Sequence, residues 1–499
     1  MSGEATRVEA VLRADPRVKM ACVTRSTSAD HHDAFLALVE LAEPGASHDL
    51  DGDRRITDSW QALFDEVYTD SSSEQDSRFN TAGWISSITG DPFSEQEMCE
   101  WLKGTISRIC EFALGDVLEV GCGTGMLVSR LGCLSKSYNA MDVSSEALSF
   151  VREHLPEWDL KNVTLTHADI SSFDKAQGQT FDTIIFNSVI QYFPSERYLF
   201  NALESCLTWL RPNGIIFIGD VRHIGLQAEL SLMAALHNAP PAATAEAICQ
   251  SAMKSILEEA ELLVHPEWFY ALQDQCRGIS AVRIELRRGR DHNELSKYRY
   301  DVLLQKSGAE NLHRPIASVS RFSPGIYCED DLAKLAAACN QQIVRLAGIP
   351  NARLQTALEI SNLLPIASPS EPFDRIPYKG TKESSPAAAI DPEYFWQLGS
   401  KVGRRARVTW SASRDPSTFD VLFYGSLPEV VSTRPVLNPE VPKSLISNPI
   451  EAEWRKLVVR QLRSRVRETL GNLPLSVLFV NQGEVRDRLE QLLQKRFVA

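Results

Sequence analysis

The sequence is poor in the features that mark several large protein classes. Its ten cysteines, from Cys22 to Cys339, include no CxxC pair and no Cys/His spacing suited to zinc, so neither a disulfide framework nor a metal site is expected. No run of about eighteen apolar residues occurs, which excludes a membrane-spanning helix. The first residues, MSGEATRVEA, lack the basic flank and apolar core of a secretory signal, so a cytoplasmic location is expected. Positive charge is also in deficit: 52 basic against 65 acidic residues give −13, the wrong balance for neutralising nucleic-acid phosphates. What remains is an ordinary globular composition, 43% hydrophobic and 23% charged, in 499 residues, enough for about three folding units.

Along the chain, VEAVLRADP (8–16) reads as a helix, VKMACV (18–23) as a strand, and FLALVEL (35–41) as a second apolar stretch after a polar turn holding His31 and His32. The polar segment that follows, with the run Asp70–Asp76, reads as a loop or linker. From Asp116 the pattern alternates between strand-like and helical stretches, the mark of βαβ units. Strands are expected at 116–120, 137–142, 163–168, 181–186, 214–220, 282–286 and 298–304, the last two as an antiparallel hairpin at the end of a doubly wound, mostly parallel α/β sheet. Beyond residue 310 helices are expected around 330–346, then a Pro/Ser-rich loop from Leu364 to Pro392, strands at 407–410 and 420–424, and a long helix over 451–470. The chain is thereby divided into 1–50, 51–310 and 311–499, the last a smaller α/β unit that packs with the first or caps the centre. The arginines between Arg455 and Arg467 read as a solvated face.

The most informative stretch is VLEVGCGTG (117–125), a strand that ends in Gly121, Gly123 and Gly125 before a helix. Taken alone it is an ordinary βα turn. A dinucleotide site would want glycine at 126, where this chain has Met126. About twenty residues on, the second strand ends in Asp142, placed to accept hydrogen bonds from both hydroxyls of a ribose, and the third ends near Asp169, placed for an adenine edge. Glu119 is a charge inside an apolar strand.

Together, Glu119/Gly121/Gly123/Gly125, Asp142 and Asp169 resemble the E-x-G-x-G-x-G loop and acidic strand ends of class I S-adenosylmethionine-dependent methyltransferases. The resemblance implies a Rossmann-like, seven-stranded α/β fold, S-adenosylmethionine as methyl donor and no metal. Further segments, AGWISSITGDPFSEQEM (82–98), FNSVIQYFPS (186–195), GDVRH (219–223) and ELSKYRYDVLL (294–304), resemble the methyltransferase domain embedded in fungal nonribosomal peptide synthetases. That likeness spans about residues 55–306 and implies nitrogen methylation of an aminoacyl group. The flanks, VEAVLRADPRVKMACV (8–23), AGIPNARL (347–354), DPEYF (391–395), VTWSASRDPSTFDVLFY (408–424) and 447–470, resemble the adenylation subdomain into which such domains are inserted. No adenylating core, terminal adenylation lysine or carrier serine is recognisable, so the acceptor is expected to diffuse in.

Methyl transfer needs a nucleophile held in line with the donor. Asn187, Ser188, Gln191 and Tyr192, past the fourth strand, are expected beside the methyl group; helix capping is the plain alternative for Asn187 and Ser188. After the fifth strand, Arg222 suits a carboxylate clamp and His223 a general base, unless Arg222 pairs with Asp220 and His223 is structural. Glu294 and Tyr298 are candidates for closing the far side, and Trp84 for stacking on adenine or substrate. The acceptor divides into a carboxylate oxygen, giving a methyl ester, and an amine or amide nitrogen. The expected partners are a small amino-acid-derived or peptide-like acid, such as the product of a neighbouring synthetase, with neither nucleic acid nor membrane involved; the C-terminal region offers a surface for a homodimer. A reading from another class is a catalytically degenerate module that docks on a synthetase.

Overall fold

The computed structural model describes residues 3–25, 35–41, 49–69, 76–173, 178–308, 316–323, 327–339, 342–364, 367–368, 370–373, 389–411, 415–425, 431–434, 445–471, 473 and 475–479. Its centre is a seven-stranded sheet of β1 (Asp116–Val120), β2 (Ser137–Asp142), β3 (Val163–His167), β4 (Phe181–Asn187), β5 (Leu210–Arg222), β6 (Ile279–Leu286) and β7 (Arg299–Lys306). The spatial order is β3-β2-β1-β4-β5-β7-β6. All neighbours are parallel except β7, which runs against both β5 and β6. The expected hairpin therefore forms, and its second strand slots inside its first.

Parallel strands covered on both faces are mostly apolar, and β1 is buried at every position, Glu119 included. On one face Ile184, Phe186, Ile216 and Ile218 pack with Leu199, Leu203 and Trp209 of the helix Glu196–Trp209. On the other, Val117, Ile185 and Phe217 meet Met98, Trp101 and Leu102 of the helix Glu95–Ile109, which Ser94 and Glu97 start with a reciprocal capping box. The order reverses between β1 and β4, so a crevice opens at the carboxyl ends of these strands.

Two smaller sheets flank this centre. Ile316–Arg321, Ile343–Pro350, Thr418–Tyr424 and Arg405–Trp410 form a four-stranded sheet in that order. Its Leu346, Phe419 and Phe423, with Phe395 from the helix Pro392–Lys401, join the same apolar cluster as Ile284 and Val302 of the central sheet. The outer edge of β6 is partly covered, since Thr433 Oγ1 accepts from Ile284 N at 2.7 Å and Thr433 N donates to Val282 O at 3.1 Å. The third sheet joins Val18–Arg25, Phe35–Leu41 and Leu475–Phe479, the last parallel to Phe35–Leu41, under the helices Gly3–Arg13 and Pro449–Leu470.

Three expectations differ from the structure. The polar segment after residue 43 carries a 21-residue helix, Asp49–Thr69, whose Trp60, Phe64 and Tyr68 repeat every fourth residue and so share one face. The stretch 330–346 is a helix, Glu329–Ala337, followed by the start of the strand Ile343–Pro350. Arg455 is buried and paired with Glu451 rather than solvated. His31, His32, residues 70–75 and most of the Pro/Ser-rich stretch lie outside the described residues. No described helix is long and apolar enough to cross a membrane.

Candidate functional site

A cavity of about 280 Å³ sits in the crevice, lined by the glycine loop, the ends of β2 and β4, the helix Asp49–Thr69 and the segment Ala82–Ser87. At one end the loop is held by backbone geometry. Gly121 has φ +72°, and a Cβ there would come within 2.4 Å of Val189, so no side chain can be accommodated. Gly125 does not line the cavity; a Cβ there would press on Trp158 and Val151 at 3.0 Å, so this glycine serves packing. Gly123 N donates to Asp142 Oδ2 and Ser144 N to Asp142 Oδ1, both at 2.8 Å. These bonds orient the carboxylate in the cavity wall, although burial raises its pKa.

Glu119 is buried, accepts from Tyr138 Oη at 2.7 Å and, mainly through desolvation, has its pKa pushed up to about 8. Asp169 accepts from Tyr198 Oη at 2.5 Å. Trp84 lines the cavity and packs on Trp101, ring centroids 4.3 Å apart. Asn187 and Gln191 each point a buried carbonyl oxygen, Asn187 Oδ1 and Gln191 Oε1, that has no hydrogen-bond partner among the described residues. Such orphaned acceptors are costly unless something else meets them.

The other end is made of side chains from distant segments. Tyr192 lines the cavity against Trp60 and Phe64, at 4.7 and 4.9 Å between centroids. Burial, with nearby Glu261, raises its pKa. Ser188 and Asp220 both adopt positive φ, 56° and 65°, and Ser188 Oγ donates to Asp220 Oδ2 at 2.8 Å. Arg299 reaches Asp220 at 2.7 Å and Glu294 at 3.1 Å. Burial alone would raise the Asp220 pKa; Arg299, Arg287 and Ser188 outweigh it and hold the group ionised. Glu261 and Arg299 line the cavity, whereas Glu294 and Tyr298 do not.

Arg222 and His223 also fall outside the cavity lining. The guanidinium of Arg222 is buried and held by Glu259 at 2.8 Å and Glu261 at 2.7 Å, which outweigh the cost of burial and raise its pKa. It is therefore neither a free carboxylate clamp nor the partner of Asp220. His223 accepts from Gly225 N through Nδ1 at 2.9 Å and packs against His265, Tyr300 and Trp410, a structural setting. The cause lies in β5, which continues to Arg222 with a register shift between Ile218 and Val221 and the positive φ of Asp220. This bulge re-aims the residues that follow it. Sequence reasoning missed Trp60, Phe64, Tyr68, Glu261 and Arg299. The aromatic repeat at every fourth residue marked the first three; nothing local marked the last two.

With this geometry in place, residues 118–216 match the family model described as "Methyltransferase domain". The chain accordingly has the Rossmann-like fold of class I methyltransferases, built on a seven-stranded, mostly parallel sheet. Over a longer span it is similar to nonribosomal peptide synthetases. It is 30% identical over 420 residues to chondramide synthase cmdD of Chondromyces crocatus, covering 83% of this chain and 10% of that protein. It is 30% identical over 468 residues to the probable non-canonical synthetase CymA of Salinispora arenicola (94% and 5%), and 34% identical over 239 residues to PF 1022-synthetase of a Rosellinia species (47% and 7%). The chain thus spans no more than a tenth of the length of these relatives. Among solved structures, N-methyltransferase NodS of Bradyrhizobium japonicum in complex with S-adenosyl-L-homocysteine aligns over 50% of this chain and 98% of that one, at 14% identity and a TM-score of 0.32.

Proposed function

We propose that the chain is an S-adenosylmethionine-dependent methyltransferase of secondary metabolism that methylates nitrogen on a small amino-acid-derived or peptide-like acceptor. The observation that carries the choice of nitrogen is the pairing of Arg222 with both Glu259 and Glu261. At this end four carboxylates, Asp220, Glu259, Glu261 and Glu294, meet Arg222 and Arg299, while Arg287 is shared between Asp220 and Asp301. Among the described residues no guanidinium at this end is left over for a substrate carboxylate, and the local excess of negative charge favours an amine.

The residues fit the cofactor. Asp142 would take the ribose hydroxyls, Asp169 the adenine end, and the orphaned oxygens of Asn187 and Gln191 the polar groups of donor and acceptor. When bound, S-adenosylmethionine supplies an electrophilic methyl carbon on a sulfonium, which leaves as a neutral thioether. The protein's own work is positioning and proton removal. Trp60, Phe64 and Tyr192 wall off water, so that the nucleophile approaches with little solvation to shed. An amine must lose a proton, since its ordinary pKa lies near 8 or above. Arg222 fixes Glu261 through Oε2, leaving Oε1 to accept that proton or a hydrogen bond from the amine.

Mass spectrometry of the protein incubated with S-adenosylmethionine and a panel of amino-acid amides, esters and N-acyl amino acids tests this. A gain of one methyl mass that survives mild alkaline hydrolysis is expected. A methyl group released by base would mean ester formation, and no cofactor binding at all would favour a docking module.

A further inference from the structure

Glu294 ties the Ala82–Ser87 segment, which lines the cavity, to the proposed acceptor end. Its Oε2 accepts from Ser87 N at 2.7 Å and Ser86 Oγ at 3.1 Å, and its Oε1 from Ser87 Oγ at 3.2 Å and Arg299 Nη2 at 3.1 Å. Ser87 and Arg299 line the cavity, so where Glu294 sits decides how both are placed. Glu294 begins the four-residue helix Glu294–Lys297, at the end of the irregular loop that leaves β6. That loop is not held by the central domain alone.

Arg353, from the segment that follows the strand Ile343–Pro350, is fully buried within it. Its Nη1 donates to Arg287 O at 2.7 Å and Ser296 O at 3.3 Å, and its Nη2 to Gly289 O at 2.7 Å and Asp391 Oδ1 at 3.2 Å. One guanidinium therefore clasps both ends of the loop that presents Glu294. Neighbouring groups add to the clasp: His292 meets Asp391 at 2.5 Å, and Arg288 pairs with Glu393 and lies over Trp396. Three backbone carbonyls depend on this one side chain, and a buried carbonyl that loses its donor is expensive.

We infer that Arg353 is a positioning residue for methyl transfer, by which the four-stranded sheet region sets the acceptor end and the Ala82–Ser87 segment through Glu294. This places a determinant of acceptor binding outside the methyltransferase sheet. It rests on the proposed reaction only where turnover is concerned; the clasp itself is a property of the folded chain.

Amide hydrogen exchange of the full chain separates the two. Arg353→Met is expected to speed exchange at Ser86–Ile88 by about tenfold while the glycine loop is unchanged. S-adenosylhomocysteine affinity is expected to stay within about twofold, whereas the KM for acceptor rises about tenfold with kcat less affected. Arg353→Lys, able to reach some of the carbonyls, should restore part of the protection. Should Arg353→Met fail to fold, Asp391→Asn loosens the clasp more gently and should show the same pattern at reduced size. Leu422→Ala, which weakens the core of the same four-stranded sheet without touching the loop, supplies the control. Unchanged exchange at Ser86–Ile88 in a folded Arg353 variant, or equal acceleration in Leu422→Ala, would overturn the inference. The exchange result needs neither acceptor nor turnover, so it stands or falls independently of the proposed function.

Discussion

At the glycine-loop end the cavity is lined by the loop itself and by the carboxyl groups of Glu119 and Asp142, drawn from β1, β2 and the turn between them. At the opposite end the groups are side chains: Trp60 and Phe64 of the helix Asp49–Thr69, Gln191, Tyr192, Glu261 and Arg299. The first end is fixed by local turns that tolerate few substitutions. The second is an assembly of side chains from distant segments. On the proposed reading, a cofactor common to many reactions sits at the former and a particular acceptor at the latter.

The strongest way to break this contrast is Asp142→Ala. Removing a carboxylate that two backbone amides aim should lower affinity for S-adenosylhomocysteine by at least about 100-fold, since hydrogen bonds to a charged group are worth about 1.5–3 kcal/mol each. Titration calorimetry reads this directly, and a loss below tenfold would mean that the loop end is not where the nucleoside is fixed. Glu261→Gln sharpens the other side. It keeps the shape, removes the charge, and should lower kcat/KM for acceptor about tenfold while cofactor affinity holds, because Glu261 lines the cavity at the proposed acceptor end. Parallel losses in both quantities would erase the distinction.

The last test concerns pH. Glu119 titrates near 4.5 when unfolded and about 8 when folded, so the folded chain carries an extra proton between those values. Stability from this group is full below 4.5 and is lost as pH rises toward 8. Glu119→Gln lacks the titration, so urea denaturation should find the unsubstituted protein losing stability relative to the variant as pH rises from about 5 to about 8.

The loop end was legible in the sequence because its chemistry is local. The glycines, Asp142 and Asp169 lie within about fifty residues and follow strand ends, and all seven central strands show in the apolar pattern. The opposite end was not legible, since Glu261 finds Arg222, and Arg299 finds Asp220, only across a folded sheet. His223 and Arg222 were misplaced for a more specific reason: the bulge at Asp220 prolongs β5 past the point where the apolar run stops. The helix Asp49–Thr69 was hidden by its charged residues, although Trp60, Phe64 and Tyr68 carried its period.

The sheet that unites Val18–Arg25, Phe35–Leu41 and Leu475–Phe479 sets a timetable for synthesis. Leu475 pairs with Phe35, 440 residues earlier (475 minus 35). At 5–20 residues per second, the N-terminal hairpin must wait roughly 20 to 90 seconds on the ribosome before its last strand emerges. Throughout that interval one edge of Phe35–Leu41 offers unsatisfied amides and carbonyls to any extended chain nearby. The newborn chain therefore passes through a stage in which its central domain can be complete while this hairpin is still unprotected, and the hairpin is where crowding and aggregation would act first.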